Sequence, residues 1–199
     1  MNLTAIFEDW HIGDGNYPPL SKGQAVNLSF EIEPGKALEE VDLDSPERFD
    51  SLGYGEYDFC AVVIRVYEDL SIFQSREFRF YIMSNEDQYL VGHRYSGTGT
   101  LLLDHYSWVE YVGTYENAPN LFYNLEVKRI LKVSVPERFV VRHENGKSLP
   151  TRLPPSEYSL SDVEEVVTME GQVFDEEFYI IEFDSTGVEE SIIERTFRS

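Results

Sequence analysis

Cysteine is nearly absent from this chain. Cys60 stands alone, so no disulfide can form within it. At 199 residues the chain buries well over half of its unfolded surface without such a staple. Cys60 lies in the apolar run Phe59-Cys60-Ala61-Val62-Val63-Ile64 and reads as a small buried side chain. A reactive thiolate needs a base and a positive setting, and neither adjoins it. Basic residues are the second shortage: 16 Lys and Arg face 37 Asp and Glu, for a net charge of -21. That charge repels nucleic acid and anionic membranes and leaves basic protein surfaces or cations as partners. Long hydrophobic runs are the third. No stretch approaches the ~18 apolar residues of a membrane helix. The opening residues, MNLTAIFEDWHIGDG, lack a basic segment and meet Glu8 and Asp9 early, unlike a secretion signal. A cytoplasmic protein is expected.

Motifs that carry chemistry are equally scarce. His11, His93, His105 and His143 show no paired metal-binding spacing. The nearest groupings are Asp104-His105 with His93, and Asp9 with His11 and Asp14; ordinary histidines account better for each. Ser96-Gly97-Thr98-Gly99-Thr100 lacks the lysine and following helix of a phosphate loop and reads as a hairpin turn. Asp42-Leu43-Asp44-Ser45-Pro46-Glu47 lacks the glycine of a calcium loop, and its Ser-Pro-Glu suits a helix start over residues 46–52. Asp175-Glu176-Glu177 could serve general acid–base work, but acids at a strand start are commonplace. No catalytic residue, metal site or cofactor is therefore expected.

What is abundant is strand-forming sequence. Apolar residues make up 42% and aromatics 14%, mostly Tyr and Phe, which opposes disorder despite the charge. Residues 26–32 alternate, with Val26, Leu28, Phe30 and Ile32 on one face and Asn27, Ser29 and Glu31 on the solvent face. Residues 57–67 are apolar in both phases, as in a strand buried on both sides. Further strands are expected at 3–7, 77–83, 88–95, 100–112 (where Leu102, Tyr106 and Val109 also fit a helical stripe) and 139–143, the last leading to the hairpin dipeptide Asn145-Gly146. The stretch 11–19 reads as a loop. A terminal hairpin is expected from 177–183 and 188–197 about residues 184–187. Residues 161–164 fit a capping box or a strand equally well.

The longest run spans 121–135 and is the spine of the reading. Leu121, Tyr123, Leu125, Val127, Leu131, Val133 and Val135 share one phase, while Arg129 and Ile130 break it in opposite senses, which a β-bulge or a tight bend there would explain. The expected class is all-β, or β-rich α+β with one or two short helices, built as an antiparallel barrel or sandwich. Residues 1–199 form a single domain, with a sub-boundary at the proline-rich 148–161 between a core of 1–147 and an acidic hairpin region of 162–199.

Charge separates along the chain. Lys128, Arg129, Lys132, Arg138, Arg142, Lys147 and Arg152 face only Glu137 and Glu144, whereas residues 157–194 hold thirteen acids and no base. An acidic tail laid across the basic strand would pair these charges. Acids left over would meet a basic partner, with Glu164, Glu165, Glu170, Asp175, Glu176, Glu177, Glu189 and Glu190 as the expected face. The leading reading is thus a non-enzymatic binding protein with no nucleic-acid or membrane partner. A rival places a small-ligand or metal site, or an active site, around the 9–17 loop, on Trp10, His11, Asp14 and Tyr17, because loops carry function disproportionately. A homo-oligomer joined through exposed strand edges is the third reading. No motif resembles a known family. The composition alone is similar to that of small acidic immunity proteins and nucleic-acid mimics.

Overall fold

The computed structural model describes residues 1–8, 10–13, 19–85, 88–104, 118–134, 140–144, 147–151, 158–166 and 178–188. Five strands close into a barrel: β3 (Phe30–Pro34), β6 (Glu56–Val66), β7 (Leu70–Ser75), β8 (Phe78–Met83) and β9 (Arg94–Leu103). The circuit runs β9-β3-β8-β7-β6 and back to β9. All of its pairings are antiparallel except β3 with β8. Period-two alternation sends Phe30, Ile32, Phe59, Ala61, Val63, Phe73, Phe78, Phe80, Ile82, Leu101 and Leu103 inward, each at most 1% exposed. The rings interlock, with Phe73 stacked on Phe80 at 5.7 Å and Phe59 edge-on to Phe80 at 5.4 Å. Burying each such side chain contributes about 1.5–3 kcal/mol.

The remaining strands extend the barrel sheet. β1 (Asn2–Glu8) runs parallel to β9, β14 (Phe178–Val188) pairs with β1, and β10 (Tyr123–Ser134) pairs with β14. β2 (Ala25–Leu28) and β13 (Ser159–Val163) both add to β10. Leu3, Phe7, Tyr123, Val127, Ile181 and Phe183 join the barrel interior in one continuous core. Tyr123 ties the layers further: its hydroxyl accepts from the Arg79 N–H at 2.5 Å, and burial pushes its pKa up to about 12. Two short strands flank the barrel, β4 (Glu39–Val41) on β9 and β5 (Arg48–Gly53) on β6. β11 (Val140–Glu144) and β12 (Lys147–Thr151) form the expected hairpin, Glu144 opposite Lys147. A single turn of helix, α1 (Trp10–Gly13), follows β1 where a loop was expected.

The all-β class expected from the strand pattern, as a barrel or a sandwich, is present as a barrel, and the irregularity expected in the spine is a bulge. The β10–β14 register slips between Val127 and Arg129, so Lys128 and Arg129 are both exposed and Ile130 turns inward. Several local expectations fail. Residues 48–53 are strand, not helix, because β6 offers an edge that outweighs the weak Ser-Pro-Glu signal. Phe49 stacks on Tyr57 at 4.4 Å and Arg48 pairs with Asp58. Residues 88–92 are turns and bends; the strand starts at Arg94.

Ser96-Gly97-Thr98-Gly99 is no turn but the middle of β9. A Cβ on Gly97 would come within 2.5 Å of Leu38 Cδ2, and one on Gly99 within 2.6 Å of Ile32 Cγ2 and 2.8 Å of the Glu33 carbonyl. Both glycines serve close approach across the barrel wall. Residues 184–187 lie inside β14 rather than at a hairpin tip. Residues 161–163 are strand. The expected strand 26–32 breaks at Ser29, and its supposed solvent face is buried at Ser29 and Glu31.

Candidate functional site: the acidic outer face of the barrel

The register of β4, β9, β6 and β5 sets polar side chains in rows on the barrel exterior. Asp50, Asp58 and Thr98 form one row; Glu56 and Thr100 form the next; Arg48, Cys60, Ser96 and Glu39 form a third. Because residues two apart share a face, all of these lie on one surface. Cys60 is fully buried within it, as expected. Arg48 holds Asp58 with a fork, Nε to Oδ2 at 2.7 Å and Nη2 to Oδ1 at 3.0 Å, and also donates to Ser96 Oγ at 2.7 Å. Arg94 donates to Glu47 Oε1 at 3.0 Å and to the Ser45 carbonyl. His93 Nδ1 lies 2.8 Å from Glu40 Oε1.

These bases answer Asp58, Glu47 and Glu40. Among the described residues, the exposed Glu39, Asp42, Asp44, Asp50 and Glu56 have no ion-pair partner. Leu43, Leu52 and Tyr54 stand exposed beside them at 63%, 56% and 49%. The surface combines unanswered carboxylates with exposed apolar groups.

The C-terminal acids are used differently. Arg129 meets Asp162 at 2.7 Å and Glu182 at 3.6 Å, Lys128 meets Asp184 at 3.5 Å, and Lys22 meets Glu164 at 3.5 Å. The acidic strands β13 and β14 thus flank the basic bulge of β10 and pair with it. Of the acids expected at a partner face, Glu164 and Glu165 are exposed and described, with Glu164 already paired. Glu170, Asp175, Glu176, Glu177, Glu189 and Glu190 lie outside the described residues. His11 is 1% exposed and packs against Phe7 at 5.6 Å, so it belongs to the core. Trp10 opens α1, but its side chain lies outside the described residues, as do Asp14 and Tyr17. No group of three or more metal-ligating side chains occurs among the described residues.

A second polar grouping is buried. On the outer side of β3 and β8, Glu31 and Tyr81 are paired residues of neighbouring strands, and Asp104 follows the end of β9. Tyr81 Oη lies 3.0 Å from Glu31 Oε2 and 2.5 Å from Asp104 Oδ1. Ser29 Oγ donates to Asp104 Oδ2 at 3.1 Å, and the Asp104 N–H donates to the Ser29 carbonyl at 3.1 Å. Burial pushes Glu31 up to about 7, with the Tyr81 hydrogen bond opposing and the charges of Asp104 and Glu33 assisting. Sequence reasoning missed this group because alternation put Ser29 and Glu31 in solvent. Beside them, Tyr81 packs with Leu121 and Phe122, which are distant in sequence.

A cleft of about 550 Å³ lies along β2 and β10, lined by Gly23, Val26, Asn27, Asn124, Leu125 and Glu126 among others. Asn27 Nδ2 donates to Asn124 Oδ1 at 3.0 Å across it. Among the described residues its lining has one carboxylate and two amides and assembles no acid–base pair. A scan against protein-family models and searches of the curated proteins and of the solved structures return no match to this chain.

Proposed function

We propose that this chain is a non-enzymatic binding protein that presents an acidic surface to a basic protein partner. The observation that carries the reading is the set of exposed carboxylates on the barrel exterior, Glu39, Asp42, Asp44, Asp50 and Glu56, which have no ion-pair partner among the described residues. Strand register holds three of them on one face beside exposed apolar groups, a combination that suits a docking surface. A net charge of -21 adds long-range steering, which speeds encounter with a basic partner and weakens as salt rises. The same charge opposes nucleic acid and opposes self-association through this face. We place the protein in the cytoplasm, where a lone buried thiol stays reduced. No helix among the described residues is long and apolar enough to cross a membrane. An inhibitor- or immunity-type role is the form of this reading that composition favours.

Affinity capture from native lysate tests the proposal. A basic partner retained at low salt and released at high salt supports it. Capture of nothing at low salt, or of a partner whose affinity ignores salt, overturns it.

A further inference from the structure

One edge of β5 is unpaired backbone beside an unanswered acid. β5 is the last strand of the large sheet, with β6 on one side and no strand on the other among the described residues. Which of its peptide groups face outward follows from β6. The Leu101 N–H donates to the Gly55 carbonyl, the Val63 N–H to the His93 carbonyl and the Gly92 N–H to the Val63 carbonyl. Gly55 and Val63 thus turn toward the β9 side, and the β6–β9 register runs unbroken between them. Peptide groups alternate sides along an antiparallel strand, so Tyr57, Phe59 and Ala61 bond β9 while Asp58 and Cys60 bond β5. Their partners Asp50 and Arg48 are thereby satisfied, and Phe49 and Ser51 direct their N–H and C=O away from the sheet. Among the described residues, none bonds to these outward groups; only the Ser51 side chain is engaged, accepting from the Gly53 N–H at 3.2 Å.

The end of this edge nearer Arg48 is closed. Ser75 Oγ donates to the Arg48 carbonyl at 2.8 Å, and the Arg76 N–H donates to the Glu47 carboxylate. Asp50, Ser51 and Leu52 are all exposed, so the rest is open. Phe49 turns inward, stacked on Tyr57 at 4.4 Å and tilted against Phe78 at 4.5 Å. Asp50 lies on the outer face opposite Asp58 and has no ion-pair partner among the described residues.

We propose that the β5 edge takes an extended segment of the basic partner as an added strand, with apolar side chains beside Phe49 and Lys or Arg beside Asp50. The proposal rests on the acidic-surface reading and states how the partner is held. Backbone bonds to Phe49 and Ser51 supply affinity, and the alternation of basic and apolar side chains supplies specificity. A basic side chain beside Asp50 answers the carboxylate that Arg48, forked onto Asp58, leaves over. A second copy of this chain offers a matching edge, but its own net charge of -21 repels it.

The probe is a capped Lys-Val-Lys-Val-Lys-Val-Lys peptide, with two relatives N-methylated on the valines alone or on the lysines alone. Only alternate amides of a strand face its neighbour, so one methylated relative loses its bonds to β5 and the other keeps them. Binding to the full chain at low salt, followed by amide NMR, is expected to weaken roughly tenfold or more for one relative and to persist for the other. Bound peptide is expected to slow hydrogen exchange at Phe49 and Ser51 and to leave Arg48 and Asp50 unchanged. Ser51→Pro deletes an outward N–H without altering charge and is expected to lose binding. Should that variant not fold, the methylated peptides and the exchange pattern of the wild type decide. Equal binding by both relatives would assign the contact to charge alone, which overturns strand addition and leaves the acidic-surface reading standing. Failure of every peptide to bind, or slowed exchange at Phe49 and Ser51 in the concentrated chain alone, also overturns the proposal.

Discussion

Asp50 and Asp58 stand directly opposite each other across the β5–β6 pair, and Arg48 forks onto Asp58 alone. Like charges directly opposed on neighbouring strands destabilise the pair. Arg48, which also feels the charge of Asp50, offsets part of this repulsion. Asp50→Asn is expected to raise stability by about 0.2–1 kcal/mol in urea unfolding while weakening partner binding. Asp58→Asn is expected to lower stability, by about 0.5–1 kcal/mol, because Arg48 loses its bidentate partner at a site only one-third exposed.

Glu31 sets a pH dependence whose direction follows from its raised pKa. Folding favours its protonated form, so the contribution is complete below the ordinary value of 4.5 and is lost as pH rises through about 7. The full shift corresponds to about 3 kcal/mol as an upper figure. Urea midpoints of the wild type relative to Glu31→Gln are expected to fall across that interval and to level off above it. A difference that instead grew with pH would mean that Glu31 is held as a carboxylate.

Gly99 and Gly97 separate two kinds of crowding within one strand. An added Cβ at Gly99 strikes the Glu33 carbonyl and the Ile32 side chain, and backbone cannot step aside cheaply. Gly99→Ala is expected to cost about 1–3 kcal/mol. At Gly97 the closest obstacle is the far end of Leu38, which can change rotamer, so Gly97→Ala is expected to cost less. Denaturant unfolding of the two variants side by side measures the contrast.

Tyr54 adopts φ of +53° and Gly55 of +81° in the two-residue turn that joins β5 to β6. Turns of this kind prefer Asn-Gly, and a left-handed conformation is costly for a tyrosine. Tyr54→Asn is expected to raise stability by about 0.5–1 kcal/mol, read as a shift of the unfolding midpoint without a change in its slope.

The sequence showed strands where alternation or continuous apolarity ran for several residues, as at 57–67 and 121–135. It pointed to a bulge or a tight bend at Arg129 and Ile130, because those two residues break the apolar phase that Leu131 and Val133 resume. It misread 46–52 and 96–99, where local turn and cap chemistry lost to tertiary pairing: β6 recruited 48–53 as an edge strand, and close barrel packing required the glycines of β9. It hid Glu31 and Ser29 because burial of a strand's second face depends on what crosses over it. The separation of charge was visible, and the pairing of Lys128 and Arg129 with Asp162, Glu182 and Asp184 follows it. The acids left unanswered on β4, β5 and β6 were not visible, since their common face arises from register between four strands.

The most direct measurement compares two variants of equal charge for binding to the captured partner across ionic strength. One carries Glu39→Gln, Asp50→Asn and Glu56→Gln on the barrel face, and the other carries Glu68→Gln, Glu77→Gln and Glu165→Gln elsewhere on the surface. Binding kinetics are expected to show a slower on-rate, a faster off-rate and a shallower salt dependence for the first variant, with the second close to wild type. Equal losses in both would assign binding to net charge alone, and a loss confined to the second would contradict the barrel face as the docking surface.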